Sequence, residues 1–568
     1  MRRDSTGWGS RWRSLAGIAA LVVVATLLAV GLLATPKGRA PATASHDEFL
    51  RVACRIPARW ARYLYRGWQP ARQRAWDLAL VPEPGSWFGT RFATSHSGPY
   101  DFLQRIPLVF FGDAFVKPAG AVDVDREITL ADVAPTFARL MHMPFYRSGR
   151  PLTEVLKKTA RVPRMLVTIV IDGGGWNVLH HWPDTWPGLA GLMRQGASLQ
   201  DAVVGSSPSI TPAVHTTLST GHWPRRHGVM AIVARTDKGD LASGFASRPY
   251  AAGPRDADPT VTLDSTTLAD EWDRSNGNRA GVAMIASQSF HAGMVGHGSA
   301  LPGADKDIAA MTLLDEVAWA TNPDFYRLPG YVNESVGPPN DLLAAVDRAD
   351  GQADGRWRGH GYWRIDATPA YARWENEVAR SIIDREGFGN DRVTDLLYIN
   401  YKAPDAAGHR WNMLSIEQRD VLISVDTAIH ELVDLLDARV GRRNYAAVVT
   451  ADHGQTPLDY EEGWPIGQGE LRRDIERTFD ARDNAVPVVE RVSTALYFMN
   501  RSEMERNHVT PEEIASYLSG YTVRDNVPSD EPLPRRYAAR ADDAVFAAAV
   551  PGRRLDDLVR CTHGGDDG

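Results

Sequence analysis

The chain has 568 residues, 43% of them hydrophobic and 23% charged, which is a globular composition with room for one large domain or several small ones. A net charge of −7 excludes a general basic field for nucleic acid, and with only Cys54 and Cys561 present no cysteine-rich zinc site is possible. Sixteen histidines and many aspartates leave His/Asp metal centres open.

Residues 15–34 run without a charge. At about 1.5 Å per residue they span roughly 30 Å, one bilayer core. Arg2, Arg3, Arg11 and Arg13 precede the run, so the positive-inside rule places residues 1–14 in the cytoplasm and the rest of the chain outside. The competing reading is a cleaved signal peptide with Ala42-Thr43-Ala44 as its processing site, although the run is long and the site lies well beyond it. Residues 35–48, rich in Pro, Ala and Thr, read as a linker, and residues 49–568 as the folded domain.

Residues 49–76 carry Trp and Arg at helical spacing, and residues 78–81 (LALV) read as a short strand. Residues 88–102 form a turn-rich loop, residues 106–112 (IPLVFFG) a buried strand and residues 128–141 a helix. Residues 166–171 (LVTIVI) are the strongest strand in the chain and end in Asp172 followed by three glycines. An acid at the carboxyl end of a buried parallel strand is where α/β folds place ligand-binding groups, though a plain strand-to-helix turn suits the same residues. In residues 206–229, Thr211 reads as a helix N-cap, Pro212 as the first helical residue and Gly221 as the C-cap. A hydroxyl there sits beside free backbone N–H groups, suited to a phosphate-like anion or an alkoxide, and equally suited to capping alone.

Residues 231–390, rich in Gly, Pro, Asp and Trp, read as lid or cap insertions. A strand returns at residues 396–400, and Asp405 and His409 follow at a separation of four, one face of a helix. Val421, Val425, Ile429, Leu432 and Leu436 mark an amphipathic helix, and residues 446–451 a strand ending in Asp452-His453-Gly454. Residues 494–499 read as a strand and residues 510–518 as a helix capped by Thr510. Alternating strands and helices predict an α/β fold: a mostly parallel central sheet with helices on both faces. Carboxyl ends of parallel strands share one edge, so Asp172, Asp405, His409, Asp452 and His453 converge there. Five ligands exceed one open tetrahedral site and predict two divalent ions, zinc foremost, the arrangement used for in-line phosphoryl transfer.

Four motifs carry a resemblance: Asp172 in IVIDGGGWN, P-S-I-T at 208–211 with T-G and H-G-V downstream, P-D-x-x-G-H at 404–409, and D-H-G at 452–454. They resemble the alkaline phosphatase superfamily, in particular its nucleotide pyrophosphatase/phosphodiesterase branch. The resemblance implies an extracytoplasmic, metal-dependent hydrolase of phosphate esters. Thr211 would be the nucleophile on one metal with Asp172, Asp452 and His453, and would form a phosphothreonine. The second metal would take Asp405, His409 and one further histidine. Residues 211–215 (TPAVH) lack the C-x-P-x-R pattern of the related sulfatases. Where the phosphodiesterases carry an Asn three residues after the nucleophile, this chain has Val214. The Lys and Arg of the monoesterase-like relatives are missing from residues 287–297, where Gln288, His291 and His297 are the candidate substrate contacts. His215, His222 and His227 read as structural.

One feature of order departs from the resemblance. Residues 95–101 (SHSGPYD), 106–112, 129–136 (TLADVAPT) and 149–152 (GRPL) match a segment that follows D-H-G in the family. Here they precede it, so the resemblance implies a circular permutation in which residues 77–155 fill the place of the family's C-terminal segment. It makes His96 the sixth ligand, with His563 the alternative. It also brings the regions near residues 50 and 560 together, and so implies a Cys54–Cys561 disulfide. The implied partners are a phosphate-ester substrate and the membrane, through the N-terminal helix, with no nucleic-acid surface. Leaving group and oligomeric state stay open. Competing functions are transfer of the phosphoryl group to a lipid or glycan acceptor, and a metal-stabilised binding protein without turnover.

Overall fold

Long apolar runs build the centre of the molecule. The computed structural model describes residues 47–70, 74–89, 95–249, 253–457, 463–481 and 484–563. The expected membrane anchor at residues 15–34 lies outside the described residues. Among the described residues no helix is long and apolar enough to cross a membrane. The described residues form one compact unit.

The main sheet has nine strands in the order Ala318–Ala320, Ile308–Leu313, Val282–Ala286, Asp395–Tyr401, Met165–Ile171, Tyr445–Ala451, Leu108–Phe111, Ala197–Ser198 and Gly120–Ala121. The five from Ile308–Leu313 to Tyr445–Ala451 are mutually parallel. Ala318–Ala320 and Leu108–Phe111 join them antiparallel on either side. The sheet is therefore mostly parallel, as the alternation of elements predicts.

The pleat divides each central strand between two cores. Leu166 and Val170 pack with Phe110, Phe137, Val214 and Leu218 on one face. Val167, Ile169 and Ile171 pack with Trp374, Val378, Ile382, Val425 and Ile429 on the other. Helices Val133–Leu140 and Thr211–Thr220 cover the first face, and Ala370–Glu386 and Ile416–Arg439 the second. Full burial on both faces explains why these strands are largely apolar, at roughly 1.5–3 kcal/mol per buried aliphatic side chain.

A second, antiparallel sheet has the order Val489–Ser493, Leu496–Met499, Leu78–Pro82, Phe546–Pro551. Against it pack Glu48–Ala53, Pro511–Leu518 and Leu555–His563, and Ala58–Arg66 packs on the last of these. The two ends of the domain meet here. Cys54 and Cys561 form a disulfide with Cα atoms 5.6 Å apart, across a sequence separation of 507.

Several expectations need correction. Residues 49–76 do not form one helix: Glu48–Ala53 and Ala58–Arg66 are separate, and the second stops at Gly67. A Cβ on Gly67 would lie 1.7 Å from Ser207 O, so the chain must turn where only glycine fits. The helix also begins at Glu48, inside the expected linker. Residues 78–81 do form the expected strand, as Leu78–Pro82, and it lies in the smaller sheet. Residues 231–390 are not lid throughout: they supply Val282–Ala286, Ile308–Leu313 and Ala318–Ala320 to the main sheet, and the helix Ala370–Glu386 to its cover. Their Gly- and Pro-rich connections hide short apolar strands that only pairing identifies. The N-cap of the Thr211–Thr220 helix is Ile210, so Thr211 is its first helical residue, one position on from the expected cap. Gly221 closes that helix with a left-handed φ of 67°, as expected.

Candidate metal centre and active site

Three strand ends deliver the acidic groups. Asp172 follows Met165–Ile171, Asp452 and His453 follow Tyr445–Ala451, and the helix Ala403–Trp411 that follows Asp395–Tyr401 carries Asp405 and His409. The helical separation of four puts the last two on one face, with His409 Nε2 3.4 Å from Asp405 Oδ1. The glycine in P-D-x-x-G-H has a steric reason. A Cβ on Gly408 would lie 1.7 Å from Oε1 of the buried Gln455, whose amide donates to Pro404 O and Gly173 O.

Two ligand groups result. In the first, Asp172, Asp452 and His453 offer atoms within 4.8 Å of one another. His453 Nε2 lies 3.2 Å from Asp452 Oδ2 and 3.8 Å from Asp172 Oδ1. In the second, His96, Asp405 and His409 meet: His96 Nε2 is 3.4 Å from Asp405 Oδ1 and 3.1 Å from His409 Nε2. The rings of His96 and His453 stack with centroids 3.6 Å apart, so the groups adjoin. His96, expected only through the permuted motif, stands with Asp405 and His409 despite lying 313 residues from His409.

The surroundings aim these atoms inward. His96 Nδ1 donates to Ser209 O at 3.2 Å and His453 Nδ1 to Gly454 O at 3.0 Å, which turns Nε2 of each ring toward the cluster as a candidate ligand atom. Asp452 Oδ1 accepts the Gly173 N–H at 2.9 Å. Asp405 Oδ1, Asp452 Oδ2 and His453 Nε2 are buried and have no hydrogen-bond partner. Orphaned acceptors of this kind, converging from separate elements, fit a divalent cation. Electrostatics agree. Burial disfavours a charged His453, yet Asp452, Asp405 and Asp172 lift its pKa to about 9, so positive charge is favoured at this point. Burial, and then the neighbouring His453, push His96 down to about 3, keeping that ring neutral and able to ligate.

The Thr211–Thr220 helix starts beside this cluster. Thr211 is 5% exposed. His215, one turn on, donates from Nδ1 to Thr211 O at 2.8 Å, and its Nε2 accepts from Asn400 Nδ2 at 3.0 Å. The same Asn400 amide donates to Asp172 Oδ2 at 3.0 Å. On the other side, the Ser209 hydroxyl donates to His96 O at 3.1 Å. The helix start is thus tied to both ligand groups. Burial holds His215 down at about 4, so it serves there as a neutral relay.

The remaining candidates divide. His291 joins the cluster, with Nε2 3.3 Å from Asp172 Oδ2 and Nδ1 donating to Gln288 O at 2.9 Å; Gln288 thus contributes through its backbone. His297 does not join it: its Nδ1 lies 2.8 Å from Asp270 Oδ2 and its Nε2 3.3 Å from Leu263 O, which corrects the reading of His297 as a substrate contact. Nε2 of the buried His227 lies 3.0 Å from Thr217 Oγ1, and His222 accepts from the Ser148 N–H at 3.2 Å, both structural as expected. Sequence reasoning missed Asn400 and Lys402. Lys402 Nζ lies 3.0 Å from Asp172 Oδ1 and 2.6 Å from Asp405 Oδ2. Burial opposes its charge, and the carboxylates of Asp172 and Asp405 outweigh that and hold its pKa above the ordinary value. The available signal was a lysine closing an apolar strand three residues before a ligand.

Comparison with known proteins gives the family and the fold. Alkaline phosphatase PhoV of Synechococcus elongatus is 22% identical over 347 residues, 53% of this chain and 61% of PhoV. Alkaline phosphatase PafA of Elizabethkingia meningoseptica is 23% identical over 369 residues, 57% of this chain and 66% of PafA. The chain thus spans somewhat under two thirds of the length of these two relatives. The crystal structure of wild-type PafA superposes with a TM-score of 0.53 at 17% identity, over 70% of this chain and 85% of that one, which shows a shared α/β fold with a large sheet. The pattern of type I phosphodiesterases / nucleotide pyrophosphatases matches residues 166–561, so by its sequence and its strand-end aspartates and histidines this chain belongs to the type I phosphodiesterase / nucleotide pyrophosphatase family.

Proposed function

We propose that the protein is a metal-dependent hydrolase of phosphate esters, a phosphodiesterase or phosphatase, acting outside the cytoplasm with Thr211 as its nucleophile. The observation that carries this reading is the pair of adjoining Asp/His groups, in which Asp405 Oδ1, Asp452 Oδ2 and His453 Nε2 are buried without a hydrogen-bond partner. Asp172, Asp452 and His453 would hold one divalent ion, and His96, Asp405 and His409 the other, with zinc the ion that suits this oxygen and imidazole set. Such ions, when bound, lower the pKa of a hydroxyl or water and offset charge on a phosphoryl group.

The chain's own residues do the rest. The first turn of the Thr211–Thr220 helix, which has no side-chain cap, offers the positive end of its dipole to phosphoryl oxygens. Asn400 and His215 hold that turn against Asp172. The Thr211 oxygen attacks phosphorus as the bond to the ester's leaving oxygen breaks. Water then cleaves the phosphothreonine, releasing phosphate or a phosphomonoester and restoring the hydroxyl. The names of PhoV and PafA as alkaline phosphatases support ester hydrolysis here.

The apolar run at residues 15–34 supports a single-pass anchor with a cytoplasmic N-terminus, and the Cys54–Cys561 disulfide supports an oxidising compartment for the domain. The place of residues 95–112 beside the last ligand strand, ahead of it in sequence, supports a circularly permuted catalytic domain.

The test is hydrolysis of mono- and bis(p-nitrophenyl) phosphate by the domain from residue 46. Chelation abolishes turnover and zinc restores it. Thr211→Ala lowers kcat by about 10³-fold or more while metal content stays at the wild-type level. Turnover surviving in Thr211→Ala removes the nucleophile assignment.

A further inference from the structure

Lys402 occupies a place that the reaction as proposed does not use. It is 8% exposed, at the junction between Asp395–Tyr401 and the helix that bears Asp405 and His409. Its ammonium touches one carboxylate from each ligand group: Asp172 Oδ1 at 3.0 Å, from the group with Asp452 and His453, and Asp405 Oδ2 at 2.6 Å, from the group with His96 and His409. The complementary oxygen of Asp405, Oδ1, is the one left without a hydrogen bond and facing His96 and His409. Asp452 shows the same division, with the Gly173 N–H on Oδ1 and Oδ2 orphaned. The other oxygen of Asp172, Oδ2, is held by Asn400.

We propose that Lys402 is a positioning residue, an internal cation that clamps Asp172 to Asp405 and thereby sets the orientation and spacing of the two ligand groups. A carboxylate rotates freely about its terminal bond. A donor on one oxygen fixes which oxygen faces the ligand pocket, as partners behind a metal ligand commonly do. A backbone N–H does this for Asp452. For Asp405 the donor on Oδ2 is the Lys402 ammonium. Asp405 comes from a helix and Asp172 from a strand end, so a single charge shared between them also fixes one group against the other. Burying the ammonium is tolerable because both neighbours are carboxylates.

The inference rests on the reading of the two groups as metal centres, and the test separates the two. Zinc affinity is measured by competition with a chromophoric chelator for the wild type, Lys402→Met and Lys402→Gln. The expected result is zinc binding about 10–100-fold weaker in Lys402→Met, and a smaller loss in Lys402→Gln, which can still donate to one carboxylate. The cobalt-loaded Lys402→Gln protein shows a shifted visible spectrum. Should Lys402→Met not fold, judged by circular dichroism, the glutamine variant decides alone. Equal or tighter zinc binding in the variants overturns the clamp and makes the ammonium a bystander or a competitor of the metal. A wild-type protein that takes up no zinc, manganese or calcium overturns the metal-centre reading itself, and the clamp with it.

Discussion

The two sheets are made of similar material and do different work. Met165–Ile171 in the large sheet and Leu78–Pro82 in the small one are both buried at every position. The large sheet's central strands run parallel, so their carboxyl ends collect on one edge, and that edge carries Asp172, Asp452 and, one helix turn on, Asp405 and His409. The small sheet is antiparallel, so its strand ends alternate between edges and no such collection forms. Asp77, just before Leu78–Pro82, shows the contrast with Asp172. It accepts the Met499 N–H at 2.8 Å and meets Arg501 at 3.0 Å, a closed set of partners with nothing left to offer a ligand. Parallel order, more than apolar composition, turns a sheet edge into a site.

Three experiments sharpen or break that contrast. The largest effect is expected at the strand ends. Asp172→Asn lowers phosphate-ester turnover by well over about 100-fold, with loss of bound metal measured by elemental analysis. Asp77→Asn changes turnover by less than about twofold and costs about 1–3 kcal/mol of stability in a denaturant titration. Equal losses of turnover in the two variants break the division of labour between the sheets.

Next is the closure of the small sheet. Replacing Cys54 and Cys561 together by Ala removes a link across 507 residues and is expected to cost about 2–5 kcal/mol in stability. Turnover at 25 °C stays unchanged, because the helices joined there pack on the small sheet. A fall in kcat without a fall in stability shows that the small sheet reaches into the chemistry.

The smallest effect is a pH dependence on the large sheet's helical cover. Burial, and then Arg147 and Arg226, lower the His222 pKa from 6.5 to about 4. The folded state binds fewer protons here than the unfolded chain, so stability rises with pH between about 4 and 6.5 and is lost as pH falls through that window. His222→Gln flattens this part of the stability–pH profile, read as Tm in a metal-free buffer series. An unchanged slope assigns the dependence to other groups.

How much of this was legible beforehand depends on the range of each contact. Asp405 and His409 could be read because a separation of four and a helix are local facts. Asp172, Asp452 and His453 could be read because buried strands announce their own ends. His291 and His297 stand six residues apart in one segment and looked alike. The short 3-10 helix Ser289–Met294 sends the first to Asp172, while the second pairs with Asp270. Asn400 and Lys402 reach Asp172 across 228 and 230 residues, and no pattern within a window of the chain encodes such a pairing. The strands inside residues 231–390 were lost for the same reason, since Val282–Ala286 is recognised only by its parallel partners Asp395–Tyr401 and Ile308–Leu313.

By itself, then, the sequence determined the α/β class, the central strands, the acids and histidines at their ends and the glycine stop after Thr220. These follow from periodicity, side-chain chemistry and backbone sterics within a few residues. Tertiary structure alone decided that the opening strand joins a separate sheet, that Lys402 lies between two carboxylates, and that His297 is spent on Asp270. Those outcomes depend on which surfaces meet when the chain closes, and burial of a charge or a ring is settled only by the partner it finds there.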